Sequence, residues 1–285
     1  MLLERQRFIM ADMAMARLHE LMVVLYAVSL VFYFIDYLNK DKIVHRCAFW
    51  ILFIVYLLQT TFLIMNIIEK QRFPVLTLFE GIYFYAWLLI TVSIILHLFY
   101  KIGHAVFFLN VIGFIFMTIH TFAPTQIEQS PIGEALISEL LIIHITFAIL
   151  SYAAFALSFV FSILYLLVYK ILKKKKWSKQ FGRLPSLHQT TISTKVAIYT
   201  GIPLLLVSLI LGMQWAHVAL QEWSFFDMKI IGSFFLLAVY SSVLFFMRSG
   251  KLTGNDFAWA NVFAFLFVII NFFLGSRLSE FHFWI

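Results

Sequence analysis

The stretch Glu139-Leu-Leu-Ile-Ile-His144-Ile-Thr-Phe-Ala-Ile-Leu-Ser151-Tyr152-Ala-Ala-Phe-Ala-Leu-Ser-Phe-Val-Phe-Ser-Ile-Leu-Tyr-Leu-Leu-Val-Tyr169 has no Asp, Glu, Lys or Arg after its first residue. It runs straight into Lys170-Ile-Leu-Lys-Lys-Lys-Lys176. A helix needs about twenty apolar residues to cross the hydrocarbon core, whereas strands of a membrane barrel run to about ten and alternate in polarity. The segment is therefore a spanning helix, long enough to tilt or to project beyond the bilayer. The lysine run marks the end held at the cytoplasmic face.

Seven further segments read the same way: 19–38, 47–68, 81–100, 105–123, 192–214, 228–247 and 257–275. The expected fold is an all-α integral membrane protein, a bundle of eight transmembrane helices. The composition agrees, with 63% apolar and 12% charged residues. A soluble domain runs near half apolar and a quarter charged, so a soluble enzyme and a disordered chain are both excluded. No soluble domain fits between the spans, and 19–285 reads as a single membrane domain of a multi-pass cell-membrane protein. Residues 1–18 hold Arg5, Arg7, Asp12 and Arg17 and lack the apolar core of a cleavable signal. They read as an N-terminal extension or interfacial segment, with Met13 and Met15 as alternative starts.

Thirteen Lys and Arg fall in segments 39–46, 101–104, 170–191 and 248–256, against six in 1–18, 69–80, 124–138, 215–227 and 276–285. The first set is cytoplasmic by the positive-inside rule, and with eight spans both termini lie outside. The net charge of +7 then reflects topology and contact with the lipid bilayer's anionic headgroups, not nucleic acid. Cys47 is the one cysteine, which excludes an intrachain disulfide and a cysteine-based metal cluster. No GxSxG elbow or Gly-rich phosphate loop occurs, and the middles of the spans lack the charges of a transport pathway. The chain reads as a non-enzyme.

This topology sorts the nine histidines into two layers. His19, His120, His144, His217 and His282 fall at outer helix ends or loops, and His45, His97, His104 and His188 at inner ends. An imidazole suits the interface for its half-polar character alone. It is also a common iron ligand, and spacing does not decide between the two, because partners would meet only through bundle packing. The outer segment Trp215-Ala-His-Val-Ala-Leu-Gln-Glu-Trp223-Ser-Phe-Phe-Asp227-Met-Lys229 reads either as an interfacial aromatic belt or as a shelf for a flat hydrophobic cofactor. Glu80 reads as a first-turn carboxylate facing a helix dipole.

At these residues the chain resembles the cytochrome c assembly (haem-handling) superfamily, and within it the HemX-type members. Pro74-Val-Leu-Thr-Leu-Phe-Glu80-Gly-Ile-Tyr-Phe-Tyr-Ala-Trp87 is similar to the family's P-L-S-N-L-Y-E-S-L-x-F-L-x-W block, with Pro74, Leu78, Glu80, Phe84 and Trp87 in common. His144 through Ala153 resembles its H-x7-Y-A block, which includes Tyr152. Trp215 through Lys229 resembles the tryptophan-rich loop, and Ser279-Glu-Phe-His282-Phe-Trp284 its closing segment. The tryptophan-rich loop is altered at Leu220, Gln221, Trp223, Ser224, Phe226 and Met228, and Phe245 stands where an inner transmembrane histidine is expected. These departures point to the HemX-type branch and away from attachment of haem to apocytochrome.

The resemblance implies a b-type, non-covalently held haem ligated by His144 and His282. Around it would lie Glu80, Trp87, His120, Tyr152, Trp215, Trp223, Asp227 and Lys229. It also implies a link to tetrapyrrole biosynthesis. The alternative it carries is a haem-free scaffold that regulates glutamyl-tRNA reductase abundance through the cytoplasmic loop 170–191. The orientation is tested by His188→Cys in a Cys47→Ser background. The thiol is expected to be shielded from an impermeant maleimide on intact cells and labelled after permeabilisation; labelling from outside inverts the topology.

Overall fold

The structure is a computed structural model that describes residues 2–39, 41–100, 103–122, 138–175, 184–220, 224–275 and 278–279. Among them every regular element is helical: α1 (Leu2–Asn39), α2 (Lys42–Lys70), α3 (Leu78–Ile95), α4 (Gly103–Phe122), α5 (Glu139–Lys173), α6 (Leu187–Ala219), α7 (Met228–Arg248) and α8 (Gly254–Ile270). Single π-helical turns extend α3 over Leu96–Tyr100 and α8 over Asn271–Gly275. All eight helices include a stretch long and apolar enough to cross a membrane, so this is an all-α, eight-span membrane protein. The first such stretch, Ala16–Asn39, is the second part of a helix that is continuous from Leu2.

The helices overrun the apolar segments because their ends are set by polar caps. Asp41 accepts the Ile43 amide at 2.8 Å ahead of α2, Ser138 caps α5, and Ser186 with Gln189 forms a reciprocal capping box at α6. Each cap satisfies amide groups that a helix start leaves without an intrahelical acceptor.

The chain divides into two compact units. One comprises Met1–Arg72 with Ile82–Thr125, the other Phe73–Gly81 with Gln126–Ile285. In the first, α1 packs against α2 and α4. One face of α1 carries Met22, Tyr26, Ser29, Tyr33 and Asp36 at helical spacing, all buried. Three of its polar members, Tyr26, Ser29 and Asp36, are paired across helices. Tyr26 donates to Asn110 Oδ1 of α4 at 2.7 Å, Asn110 in turn donates to Ser93 Oγ of α3, and Ser29 donates to the Ala48 carbonyl of α2 at 2.9 Å. Gly113 of α4 makes room for the tyrosine, since a Cβ there would lie 2.6 Å from Tyr26 Oη.

The histidines of this unit gather at its two ends. His19 and His120 lie with ring centroids 5.3 Å apart beside Tyr83. At the opposite helix ends His45 stacks on His97 at 5.2 Å, and His45 Nδ1 meets the buried Asp36 carboxylate at 2.8 Å.

In the second unit α5 packs most extensively on α6 and also on α8, while α7 packs on α6 and α8. The α5–α6 approach is set by a stripe on α6 of Gly201, Leu205, Ser208 and Gly212. A Cβ at Gly201 would fall 2.5 Å from the Phe155 ring, which itself stacks on Tyr240 of α7 at 3.8 Å. Asn261 of α8 donates to Ser162 of α5 at 2.9 Å. Small residues and amide–hydroxyl bonds are what hold helices together where lipid removes the usual hydrophobic drive.

Asn110→Leu strands the Tyr26 hydroxyl and Ser93 together. It is expected to cost about 1–2 kcal/mol, the upper part of the range for interhelical bonds in membranes, read as a lower midpoint of thermal unfolding in detergent.

Candidate functional site

The second unit builds a small, largely apolar pocket where α5, α6 and α7 meet. His144 lies in the second turn of α5, and its imidazole reaches across to α6. There Nδ1 is 2.6 Å from the backbone carbonyl oxygen of Ser208. A carbonyl oxygen carries no hydrogen, so Nδ1 is the protonated nitrogen and Nε2 is left as the acceptor. The Ser208 hydroxyl completes the clasp by donating back to the His144 carbonyl at 2.9 Å. Gly212, one turn on, lies under the ring: a Cβ there would be 2.5 Å from Cε1 and 2.7 Å from Nδ1.

Facing the imidazole across a cavity of about 40 Å³ are Tyr152 of α5 and Lys229 and Ser233 of α7. The cavity has room for a few waters; it marks where the donors converge and is no preformed slot for a large ligand. Asn271, in the π-helical turn after α8, organises this side. Its side-chain amide donates to Tyr152 Oη at 3.1 Å and to Ser233 Oγ at 3.2 Å, and its backbone carbonyl accepts from Lys229 Nζ at 3.1 Å. The half-buried Lys229 ammonium also lies 5.8 Å from the Phe272 ring centroid. Gly232 and Gly275 admit Asn271, because a Cβ at either would meet its Oδ1, at 2.1 and 2.7 Å.

Asp227 is buried and caps α7 through Oδ1, which accepts the Lys229 amide at 2.8 Å. Its other oxygen accepts from Ser279 Oγ at 2.6 Å, which fastens the chain beyond α8 to the start of α7. Trp215 is buried on α6, one turn beyond Gly212.

The remaining residues singled out by sequence fall elsewhere. Glu80 is buried in the short segment that joins this unit, and its Oε2 accepts the amides of Leu76 at 2.8 Å and Thr77 at 3.2 Å, closing the turn before α3. Trp87 belongs to the first unit, where its indole donates to Thr60 Oγ1 at 2.9 Å and stacks with Tyr56 and Phe84. His120 is also in the first unit, with His19. Trp223 and His282 lie outside the described residues.

Sequence reasoning missed Ser208, Gly212, Asn271 and Ser279. Three of these left a readable sign. Ser208 and Gly212 continue the small-residue stripe of Gly201 at helical spacing, and Asn271 is an amide near the end of an apolar span, where polar side chains are costly and usually paired.

Fold and pocket define a multi-pass membrane protein that presents an imidazole and a lysine amine on the wall of one small pocket. A family model described as "Cytochrome C assembly protein" matches residues 75–282, and the chain belongs to that family. It is 47% identical over 273 residues to Protein HemX of Bacillus subtilis (strain 168), covering 96% of this chain and 99% of that one. It is 41% identical over 268 residues to Protein HemX of Brevibacillus brevis, covering 94% and 97%. A more distant relative is the cytochrome c biogenesis protein CcsA of Guillardia theta, 27% identical over 236 residues, 75% of this chain and 78% of that one.

Asp227→Ala removes both the cap and the tie to Ser279. It is expected to cost about 1–2 kcal/mol and to speed carboxypeptidase trimming of the C-terminal segment in the otherwise folded protein. Asp227→Asn, which retains an acceptor for the cap, is expected to have a smaller effect on both.

Proposed function

We propose that this protein is a haem-binding membrane protein of the HemX type, which holds a b-type haem non-covalently for handling or transfer, in connection with tetrapyrrole biosynthesis. The observation that carries the reading is the bond from His144 Nδ1 to the Ser208 carbonyl, on the wall of the pocket that His144 and Ser208 help to line. Metal-ligating histidines commonly donate their other ring N–H to such a partner, which fixes tautomer and orientation.

The donor set suits the group. His144 would supply one axial ligand, and Lys229 would pair with a propionate. Tyr152 and Trp215, together with Trp223, would contribute aromatic surface. Asp227 and Glu80 act in this reading through the backbone they hold.

The second axial ligand is assigned to His282. The Ser279–Asp227 bond supports this assignment, since it fastens the chain three residues ahead of His282 and two residues from Lys229. Three residues reach at most about 10–11 Å. Two neutral imidazoles leave iron low-spin with no open position, which suits storage or delivery over oxygen chemistry.

Absorption spectroscopy of the full chain in mild detergent tests the proposal. A Soret band of six-coordinate, low-spin haem is expected in the parent protein. His144→Ala or His282→Ala should each lower haem content or shift the spectrum to five-coordinate, high-spin iron, and His97→Ala should do neither. A haem-free protein that still captures glutamyl-tRNA reductase, and loses it when residues 170–191 are replaced, favours the scaffold reading instead.

A further inference from the structure

We infer that the first unit, at the end where α2 and α4 finish and α3 begins, holds a divalent transition-metal ion. Its ligands are His19 of α1 and His120 of α4, with the side-chain oxygen of Gln59 of α2 as a third donor.

The two imidazoles are far apart in sequence, and the packing of α1 on α4 brings their ring centroids to 5.3 Å with planes inclined at 50°. That spacing has a chemical meaning. A zinc-class ion lies about 2.0–2.1 Å from a ring nitrogen, and hence about 3.2 Å from the ring centroid. Two rings that meet one ion at a tetrahedral angle then have centroids about 5.2 Å apart. An imidazole has two nitrogens, so a ring that bonds protein through one can ligate through the other, which is the ordinary arrangement in metal sites.

The second observation is independent of the histidines. Gln59 is 0% exposed, and neither its amide nitrogen nor its side-chain oxygen has a hydrogen-bond partner among the described residues. A carboxamide in that state carries the full penalty of lost solvation, so it points to a partner beyond the polypeptide. It shares the buried face of α2 with Ala48, whose carbonyl accepts from Ser29 of α1. From that contact His19 lies ten residues back along α1 and Gln59 eleven residues on along α2. At about 1.5 Å per residue these are about 15 and 17 Å in the same direction, so the amide is level with the imidazole.

Tyr83 of α3 fixes the arrangement. Its hydroxyl donates to the Gln59 backbone carbonyl at 2.8 Å, and its ring lies 4.9 Å from His120 and 6.1 Å from His19. Phe62 closes against His19 at 4.2 Å. Rings packed this closely fit an ion between two nitrogens and exclude a macrocycle. Neutral nitrogen and oxygen donors suit zinc and its neighbours, whereas calcium calls for a cage of oxygens and copper(I) for thiolate. All three donors are uncharged, so the remaining position takes an anion or hydroxide, for which Gln59 Nε2 offers a hydrogen bond.

The test is metal binding by the full-length, chelator-treated protein in detergent, freed of any polyhistidine tag. Zinc is titrated by competition with an indicator, and cobalt(II) replaces it as a chromophore. The parent is expected to show one tight site per chain, with the intense visible bands of four-coordinate cobalt, and zinc should raise its midpoint of thermal unfolding. His19→Ala and His120→Ala should each weaken the site by at least about tenfold, the loss seen even when only a group supporting a ligand is removed. His45→Ala and His97→Ala, at the opposite end of the unit, should leave it unchanged.

Gln59→Leu separates binding from folding. The metal-free variant is expected to unfold at a higher temperature than the metal-free parent, since the buried amide is gone, and yet to gain less from zinc. A parent without a tight site, a site that survives both His19→Ala and His120→Ala, or a zinc-induced shift undiminished in Gln59→Leu overturns the inference.

Discussion

Inside a bilayer a polar group that is not bonded to protein has no water to turn to, and this one constraint organises the molecule. It forces the backbone into helices, whose hydrogen bonds close within the segment. It also favours a partner on a neighbouring helix for a polar side chain on a buried face. The Tyr26–Asn110–Ser93 chain and the Asn261–Ser162 bond answer that demand in the two units. His144 answers it less commonly, by bonding a backbone carbonyl that glycine has left uncovered. The pocket is thus an extension of the way this protein packs: the same small residues that bring α5 and α6 close also seat the ring.

Much of this was legible in the amino-acid order. Apolar runs of more than twenty residues admit one structure in a membrane, so the eight spans could be read directly; the helix starts moved outward where Asp41 and Ser186 cap α2 and α6, while α1 runs back to Leu2 and α3 and α8 begin at Leu78 and Gly254, ahead of their apolar runs. The gathering of the first unit's histidines at opposite helix ends followed from counting spans. His144, Tyr152 and Lys229 could be named from a resemblance, but their convergence depends on which faces of α5 and α7 turn inward, and apolar residues surround those helices on every side. With no amphipathic signal to orient a helix, periodicity is silent. Glu80 and Asp227 show the same limit: the first-turn position of one and the place of the other just ahead of a span are plain from sequence, while the amides and the Ser279 hydroxyl that occupy their oxygens are not.

Membership of the cytochrome c assembly family is carried by residues 75–282, a range that contains the whole His144 pocket but leaves out α1, α2 and with them His19, Asp36 and His45. The near-full-length likeness to the two HemX proteins includes those helices. The matched range takes in α3 to α8, whereas the α1–α2 pair, with its carboxylate-bound His45, lies in the portion that this chain shares with the HemX proteins.

The division of the pocket between helices has a mechanical consequence. His144 stands on α5, clamped to α6, while Lys229 stands on α7 and is bonded to the turn after α8. Across this division the two hairpins are already joined, by Asn261 to Ser162, by Asn271 to Tyr152 and by the Phe155–Tyr240 stack. The imidazole and the lysine therefore stand on one connected frame, and any change in the packing of either hairpin alters the distance between them.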